Sequence, residues 1–146
     1  MAHTPPEPDD FICFAIYSTE HAFSRVYKPL LEKLGLTYPQ YLVLVALWAK
    51  DDQTVGDLGK VLFLESSTLT PLLKRLEGLE FLTRSRDPLD ERQVRVKLTR
   101  KGKALQDKAR DFPSCVDGAT GLSDDALGKL RANILSMRTA LLKAAG

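Results

Sequence analysis

Cysteine is scarce in this chain: there are two among 146 residues, Cys13 and Cys115. Two cysteines so far apart cannot make a disulfide framework, and their spacing suits no zinc site. No C-x-x-C motif is present. Apolar runs fall well short of the ~20 residues a membrane span needs, and no secretory signal opens the chain. The expectation is a cytoplasmic protein with no membrane partner. Histidine is equally rare. His3 lies in a proline-rich tail, and His21 reads as a surface or interface residue, so no metal and no cofactor is expected. Excess charge of one sign is also missing, since the net charge is only +2.

What is present is an ordinary globular mixture, 44% apolar and 27% charged, which suits one compact domain or one domain with a helical extension. The charge is unevenly spread. Between residues 60 and 110 there are 13 Lys and Arg against 7 Asp and Glu, so the rest of the chain is net acidic. A basic half beside an acidic half suits a protein that turns one face to phosphates. A solvated charged surface would have the same composition.

Residues 1–10 read as a flexible tail, because Pro5, Pro6 and Pro8 oppose regular structure. Asp9 or Asp10 can cap a helix running to about Leu34, with Phe11, Phe14, Ala15, Ala22, Val26, Leu30 and Leu34 at helical spacing. Pro29 should kink or split it. Gly35 suits a C-cap. Residues 39–49 form a nearly all-apolar and therefore buried helix, in which Trp48 reads as core. Asp51 and Asp52 make a polar break. At the far end, a helix from Arg100 should stop at Pro113, and residues 113–121 read as a flexible loop holding Cys115. Ser123 then caps a last helix with Leu127, Leu130, Ile134, Met137 and Leu141 in one stripe.

The stretch between these ends carries the polar chemistry. Thr54 opens T-x-x-D, which resembles a capping box for a short helix over residues 55–62. A turn over 63–66 leads to a second helix, expected to start at Ser67 or Thr68 so that Pro71 falls in its first turn. Leu69, Leu72, Leu73, Leu76 and Leu79 form its inner stripe. Ser67, Thr68, Thr70, Pro71, Lys74 and Arg75 are left for the outside. Residues 81–86 and 93–98 read as strands, because Val94, Val96 and Leu98 alternate with Gln93, Arg95 and Lys97. Their connection carries Asp90 and ends in Arg92. Thr99 can cap the next helix, whose Lys101 and Lys103 oppose the helix dipole, a cost that nearby phosphates would explain and that solvation alone could also offset. Helix, turn, helix and hairpin make a winged helix-turn-helix. The expected fold class is mainly α with a small β-hairpin wing over residues 51–99. Residues 11–50 and 100–146 would form a helical dimerisation region from both chain ends.

LDERQVRVKLTRKG (residues 89–102) resembles the wing and the following L-T-x-x-G of MarR-type regulators. CFAIYS (13–18), YKPLLEKLGLTYPQY (27–41) and SSTLTPLLKRLE (66–77) resemble the organic-hydroperoxide-sensing branch, the OhrR repressors. The resemblance implies a homodimeric repressor on an inverted-repeat operator in double-stranded DNA. By position, Ser67, Thr68, Thr70, Pro71, Lys74 and Arg75 would meet the major groove. Arg92 would reach the minor groove, with Asp90 bracing the wing. Cys13 would be the peroxide sensor, hydrogen-bonded across the dimer by Tyr27 and Tyr38. Cys115 would be either the resolving cysteine of an intersubunit disulfide or a bystander.

The chemistry suits those residue types. Peroxide is attacked by a thiolate, and a free cysteine is mostly protonated at neutral pH. Phenol donors to sulfur favour the charged form, and the sulfenic acid that results condenses with a second thiol. Phe11, Phe14 and Phe23 could favour peroxides with apolar tails. By composition alone, a cysteine among apolar helix residues is usually inert core. The leading alternative is a MarR-type repressor responding to a small aromatic ligand, with incidental cysteines. A thiol peroxidase would leave the basic winged region unexplained, so an enzyme is not expected. A DNA-binding protein with no switch is the third reading.

Overall fold

The structure is a computed structural model and describes residues 3–146. It divides into two compact units, one up to Arg110 and one from Asp111 to Gly146. The first two residues of the expected tail lie outside the described residues. The rest of that tail is not wholly irregular, since Pro8–Asp10 forms one 3₁₀ turn. Asp10 closes this turn by accepting the Glu7 N–H at 2.9 Å, so neither aspartate caps the first long helix. Phe11 precedes that helix and makes no side-chain cap.

Helix α1 (Ile12–Glu32) runs on through Pro29 as one element. The expected split does not occur. Proline removes one backbone bond, and only three residues of helix come after it, so little is lost. Gly35, at φ +68, reverses the chain, and the Leu36 N–H reaches back to the Leu31 carbonyl at 3.2 Å. Helix α2 (Tyr38–Ala49) opens with a reciprocal cap between Thr37 and Gln40. Its Val43, Leu44 and Leu47 are fully enclosed.

Strand β1 (Gln53–Thr54) lies just after the expected polar break and was not expected from the sequence. Two residues are too few to show a period of two. Its partners are distant: Gln53 pairs with Val96 and Thr54 with Arg95. Thr54 then caps α3 (Val55–Leu62) by accepting the Asp57 N–H at 3.1 Å, the threonine half of the expected box. Phe63 takes the left-handed conformation at φ 57 and ends α3. A Cβ on Gly59 would sit 2.6 Å from the Leu64 carbonyl oxygen, so this turn needs glycine. Helix α4 (Ser66–Gly78) comes next. Strands β2 (Leu82–Arg86) and β3 (Val94–Leu98) pair from Leu82↔Leu98 to Arg86↔Val94, in sheet order β1-β3-β2. One core joins them, with Leu58, Leu69, Leu73, Leu76, Leu82 and Val96 all but sealed from solvent. Each such leucine contributes ~2 kcal/mol by leaving water.

Helix α5 (Arg100–Lys108) is capped by Thr99, which accepts the Gly102 N–H at 3.0 Å. It stops four residues before Phe112. The segment expected as a loop forms α6 (Phe112–Ala119), with Cys115 inside it. Pro113 lies in the first turn of that helix, where proline is well tolerated, so it starts a helix there instead of only ending one. Ser123 caps α7 (Asp124–Ala144). No residue of α7 is buried; Leu130, Ile134, Leu135, Leu141 and Leu142 are exposed. Leu31 is the one buried residue of α1, while Ile12, Ile16, Tyr17 and Phe23 are exposed.

Gly102 has the least room of any glycine. A Cβ there would lie 1.9 Å from the Phe81 carbonyl oxygen. Gly102→Ala should therefore cost about 2–3 kcal/mol and lower the melting temperature by roughly 10 °C. Gly78→Ala has open space around the added methyl and should be neutral or stabilising by up to about 1 kcal/mol. Thermal unfolding by circular dichroism checks the pair, and an unchanged midpoint for Gly102→Ala would contradict the packing.

Candidate nucleic-acid interface and sensor site

Helix α4 is two-faced. Leu69, Leu73 and Leu76 are buried. Ser67, Thr68, Pro71, Lys74 and Arg75 are exposed, and Thr70 is half-buried. At 100° per residue, Ser67, Pro71 and Lys74 fall along the outermost line, with Thr68 and Arg75 on one flank and Thr70 on the other. The helix starts at Ser66, earlier than expected, and its N-cap is Glu65, which makes no side-chain cap. Pro71 is therefore the sixth helical residue and lies beyond the first turn. The Thr68 and Leu69 N–H groups bond the Glu65 carbonyl, so the hydroxyls of Ser67 and Thr68 are not used as caps.

The wing tip is held by carboxylates. Asp90 accepts the Arg92 backbone N–H at 3.1 Å and grips its guanidinium through both oxygens, at 3.0 and 3.3 Å. The Arg92 side chain, first, and its N–H hold the Asp90 carboxyl below the usual range. Arg92 itself remains 91% exposed. By sequence, Asp87 is only a turn residue. In the fold it is buried, with Oδ1 accepting the Leu89 N–H at 2.7 Å and Oδ2 accepting Arg95 Nε at 2.8 Å. The Leu89 N–H, and then Arg95, lower its pKa. Arg95 also reaches the Asp52 carbonyl at 3.0 Å and the Asp52 carboxylate at 3.2 Å. Asp52 and Asp87 in turn raise its pKa. An aspartate two residues before an N–H it can accept is a turn signal, but its arginine partner is visible only once the hairpin register is known.

Two further contacts tie α4 to β2 and α5. Glu77 accepts the Arg84 N–H at 2.9 Å and its guanidinium at 3.1 Å, and the side-chain bond is the larger cause of a lowered Glu77 pKa. Lys101 has partners within the fold. Its ammonium donates to the Leu79 carbonyl at 3.1 Å, at the end of α4, and lies over the Phe81 ring. It serves the negative end of one helix while sitting at the positive end of another. Groups whose folded pKa is lowered stabilise the fold above their unfolded pKa and stop doing so as pH falls through the lowered value. The support from Glu77, Asp87 and Asp90 is thus complete at neutral pH and is lost progressively as pH falls from the ordinary carboxylate range through the lowered values.

Cys13 and Cys115 are both exposed free thiols. Cys13 is the second residue of α1, and Tyr27 is on the same helix. Fourteen residues of helix span ~21 Å, so Cys13 and Tyr27 of one subunit do not meet. Tyr27 instead packs on Tyr38, with ring centroids 4.9 Å apart, and on Tyr41 at 5.9 Å. Burial, and then the Glu20 charge, push the Tyr38 phenol up. Burial, and then Tyr38, do the same for Tyr41. These two phenols therefore keep their protons at neutral pH. The fold brings Tyr27 and Tyr38 together but separates Cys13 from Tyr27. Cys115 belongs to the second unit. Among the described residues, no group of His, Cys, Asp and Glu could hold a metal ion, and no helix is long and apolar enough to cross a membrane.

Residues 25–109 match the family described as transcriptional regulator SarA/Rot. The chain is 48% identical to the HTH-type transcriptional regulator TtmR of Methylorubrum extorquens, over 97% of this chain and 73% of that protein. It is 41% identical to the organic hydroperoxide resistance transcriptional regulator of Bacillus subtilis, over 86% of each. AbfR of Staphylococcus epidermidis superposes with a TM-score of 0.78 at 32% identity, covering 90% of this chain and 91% of that one. AbfR has also been solved reduced and bound to DNA, where the TM-score is 0.79 at 31% identity over 92% of each chain. In a disulfide-formed state the TM-score is 0.62 at 34% identity, over 90% of this chain and 87% of that one. The chain belongs to the SarA/Rot family of transcriptional regulators, with the winged helix-turn-helix of MarR-type proteins and close kinship to an organic hydroperoxide regulator.

Proposed function

We propose that this regulator is a repressor that binds an inverted repeat in double-stranded DNA as a homodimer and leaves it when an organic hydroperoxide oxidises Cys13. The observation that carries this reading is the ~21 Å of helix between Cys13 and Tyr27, with Tyr27 and Tyr38 already paired ring against ring. A thiol and phenol donors arranged in this way can form a complete site only across two subunits. The exposed apolar faces of α1 and of α7 supply surface for such a dimer, so residues 11–50 and 100–146 act as the dimerisation region. AbfR supports the reading, since it has been solved reduced on DNA and also with a disulfide formed. The protein would act in the cytoplasm, where thiols stay reduced.

In the DNA-bound state, Ser67, Thr68, Thr70, Pro71, Lys74 and Arg75 face the major groove. Arg92, preset by Asp90, enters the minor groove. The Cys13 sulfur attacks the outer peroxide oxygen. The O–O bond breaks, an S–O bond forms, and the alcohol leaves with a proton. The sulfenic acid then meets the partner subunit's Cys115: an S–S bond forms and water departs. That step needs the two Cα atoms within roughly 7 Å. Cys115 lies in α6 and not in a loop, so where the two Cα atoms begin farther apart than that, the helix must move as a piece or unwind. Two recognition helices then lose the ~34–36 Å spacing that successive major grooves demand.

Operator binding at fixed salt, before and after one equivalent of organic hydroperoxide, tests this directly. Wild type should fall by roughly 10³-fold toward nonspecific affinity, and Cys13→Ser should stay bound. A dimer-sized band on a non-reducing gel, absent in Cys115→Ser, would assign the resolving role. Binding that ignores oxidant would end the redox reading and favour a ligand-responsive repressor. Tyr27→Phe keeps the ring and removes the donor; Cys13 oxidation should slow by about tenfold, with reduced-state DNA affinity unchanged. Arg92→Ala should weaken DNA binding by roughly tenfold and flatten its salt dependence by about one counterion, leaving oxidation rates untouched.

A further inference from the structure

We infer that Trp48 is the positioning residue through which the sensor tyrosines act on the recognition helix and the wing. The inference rests on the peroxide-sensing reading above and adds the route by which that signal reaches the DNA-binding elements.

Helix α2 carries the parts at its two ends. Tyr38 and Tyr41 lie in its first turn and Trp48 in its last. The Tyr41 ring touches both sides of the route, with its centroid 5.9 Å from Tyr27 and 6.2 Å from Trp48. Between them, Val43, Leu44 and Leu47 have no exposed surface. A helix packed this closely moves as one rod, because interiors at crystal-like density shift between discrete arrangements and do not deform locally. Twelve residues make that rod ~18 Å long.

The far end lands on a junction. The Trp48 indole N–H donates to the Gly102 carbonyl at 2.9 Å, across 54 positions of sequence. Gly102 lies against the backbone of Phe81 with no room for a Cβ. Around it, the Thr99 N–H donates to the Phe81 carbonyl at 3.0 Å and the Thr99 hydroxyl to the Glu80 carbonyl at 2.6 Å. Lys101 holds the Leu79 carbonyl. Leu79 ends α4 and Leu82 begins β2, so one indole bond reaches the segment that orients both DNA-contacting elements. A half-buried indole N–H that merely satisfies a carbonyl would be ordinary packing. What sets this one apart is that its ring continues the aromatic cluster at the sensor end.

The chain has one tryptophan, so its emission reports this position alone. In the full-length dimer, wild-type emission should shift when Cys13 is oxidised and stay constant in Cys13→Ser. Trp48→Phe keeps a ring against Tyr41 and removes the N–H. It should fold, lose its free Cys13 thiol to oxidant at the wild-type rate, and bind reduced-state operator within roughly threefold of wild type. Its oxidant-induced release should shrink by at least about tenfold. The probe is an operator duplex selected from a random library by the reduced wild-type protein. The inference is overturned if Trp48→Phe releases DNA to the same extent as wild type. If that variant does not fold, a wild-type emission spectrum unmoved by Cys13 oxidation overturns it instead. Failure of the underlying reading looks different: wild type itself would stay on DNA, or the Cys13 thiol would survive the oxidant unchanged.

Discussion

Four elements meet where the backbone of Gly102 lies against the Phe81 carbonyl. The end of α4, the start of β2, the first turn of α5 and the last turn of α2 are joined there by the bonds of Thr99, Lys101 and Trp48. A side chain at position 102 would push them apart. The close approach explains why a threonine cap and a glycine three residues later belong together: the cap starts the helix, and the glycine lets that helix touch the strand.

The wing is built from charge. Asp87, enclosed by the hairpin, accepts from the Leu89 N–H and from Arg95, and Arg95 extends to Asp52 beside the edge strand. Asp90 holds Arg92 while leaving it in water. Exposed pairs of this kind contribute little to stability. Their value lies in geometry, because an arginine already held in place loses less freedom on meeting DNA. Glu77 and Arg84 fasten the wing to α4, so the proposed mechanism presents helix and hairpin to a duplex together.

The sensor obeys a different constraint. A helix rises by a set amount per residue, so Cys13 and Tyr27 lie far apart in any single copy, while Tyr27, Tyr38 and Tyr41 cluster. Burial keeps Tyr38 and Tyr41 protonated, which suits them as donors. In the proposed mechanism, a site divided in this way links sensing to assembly, with the tyrosines at one end of α2 and Trp48 at the other.

Much of this was legible in the residue pattern. The leucine stripe of α4, the alternation of β3, and the caps at Thr54, Thr99 and Ser123 are local signals, and their order makes the winged helix-turn-helix. The outward set on α4 was readable for the same reason, since helical period alone separates it from the core. Local signals failed where the deciding partner is distant in sequence. Strand β1 is two residues long and exists because β3 accepts it. The partners of Lys101, the Leu79 carbonyl and the Phe81 ring, are invisible until the end of α4 comes beside α5. Pro113 looked like a stop and proved to be a start. The sequence by itself determined most of the helices, the two wing strands and the separation of Cys13 from Tyr27 along one helix, because periodicity, capping and helix rise act along a single element. Only the tertiary structure decided that β1 forms, that Asp87 pairs with Arg95, that Trp48 reaches Gly102 and that Tyr27 packs on Tyr38, because those relations depend on packing and register between separate segments.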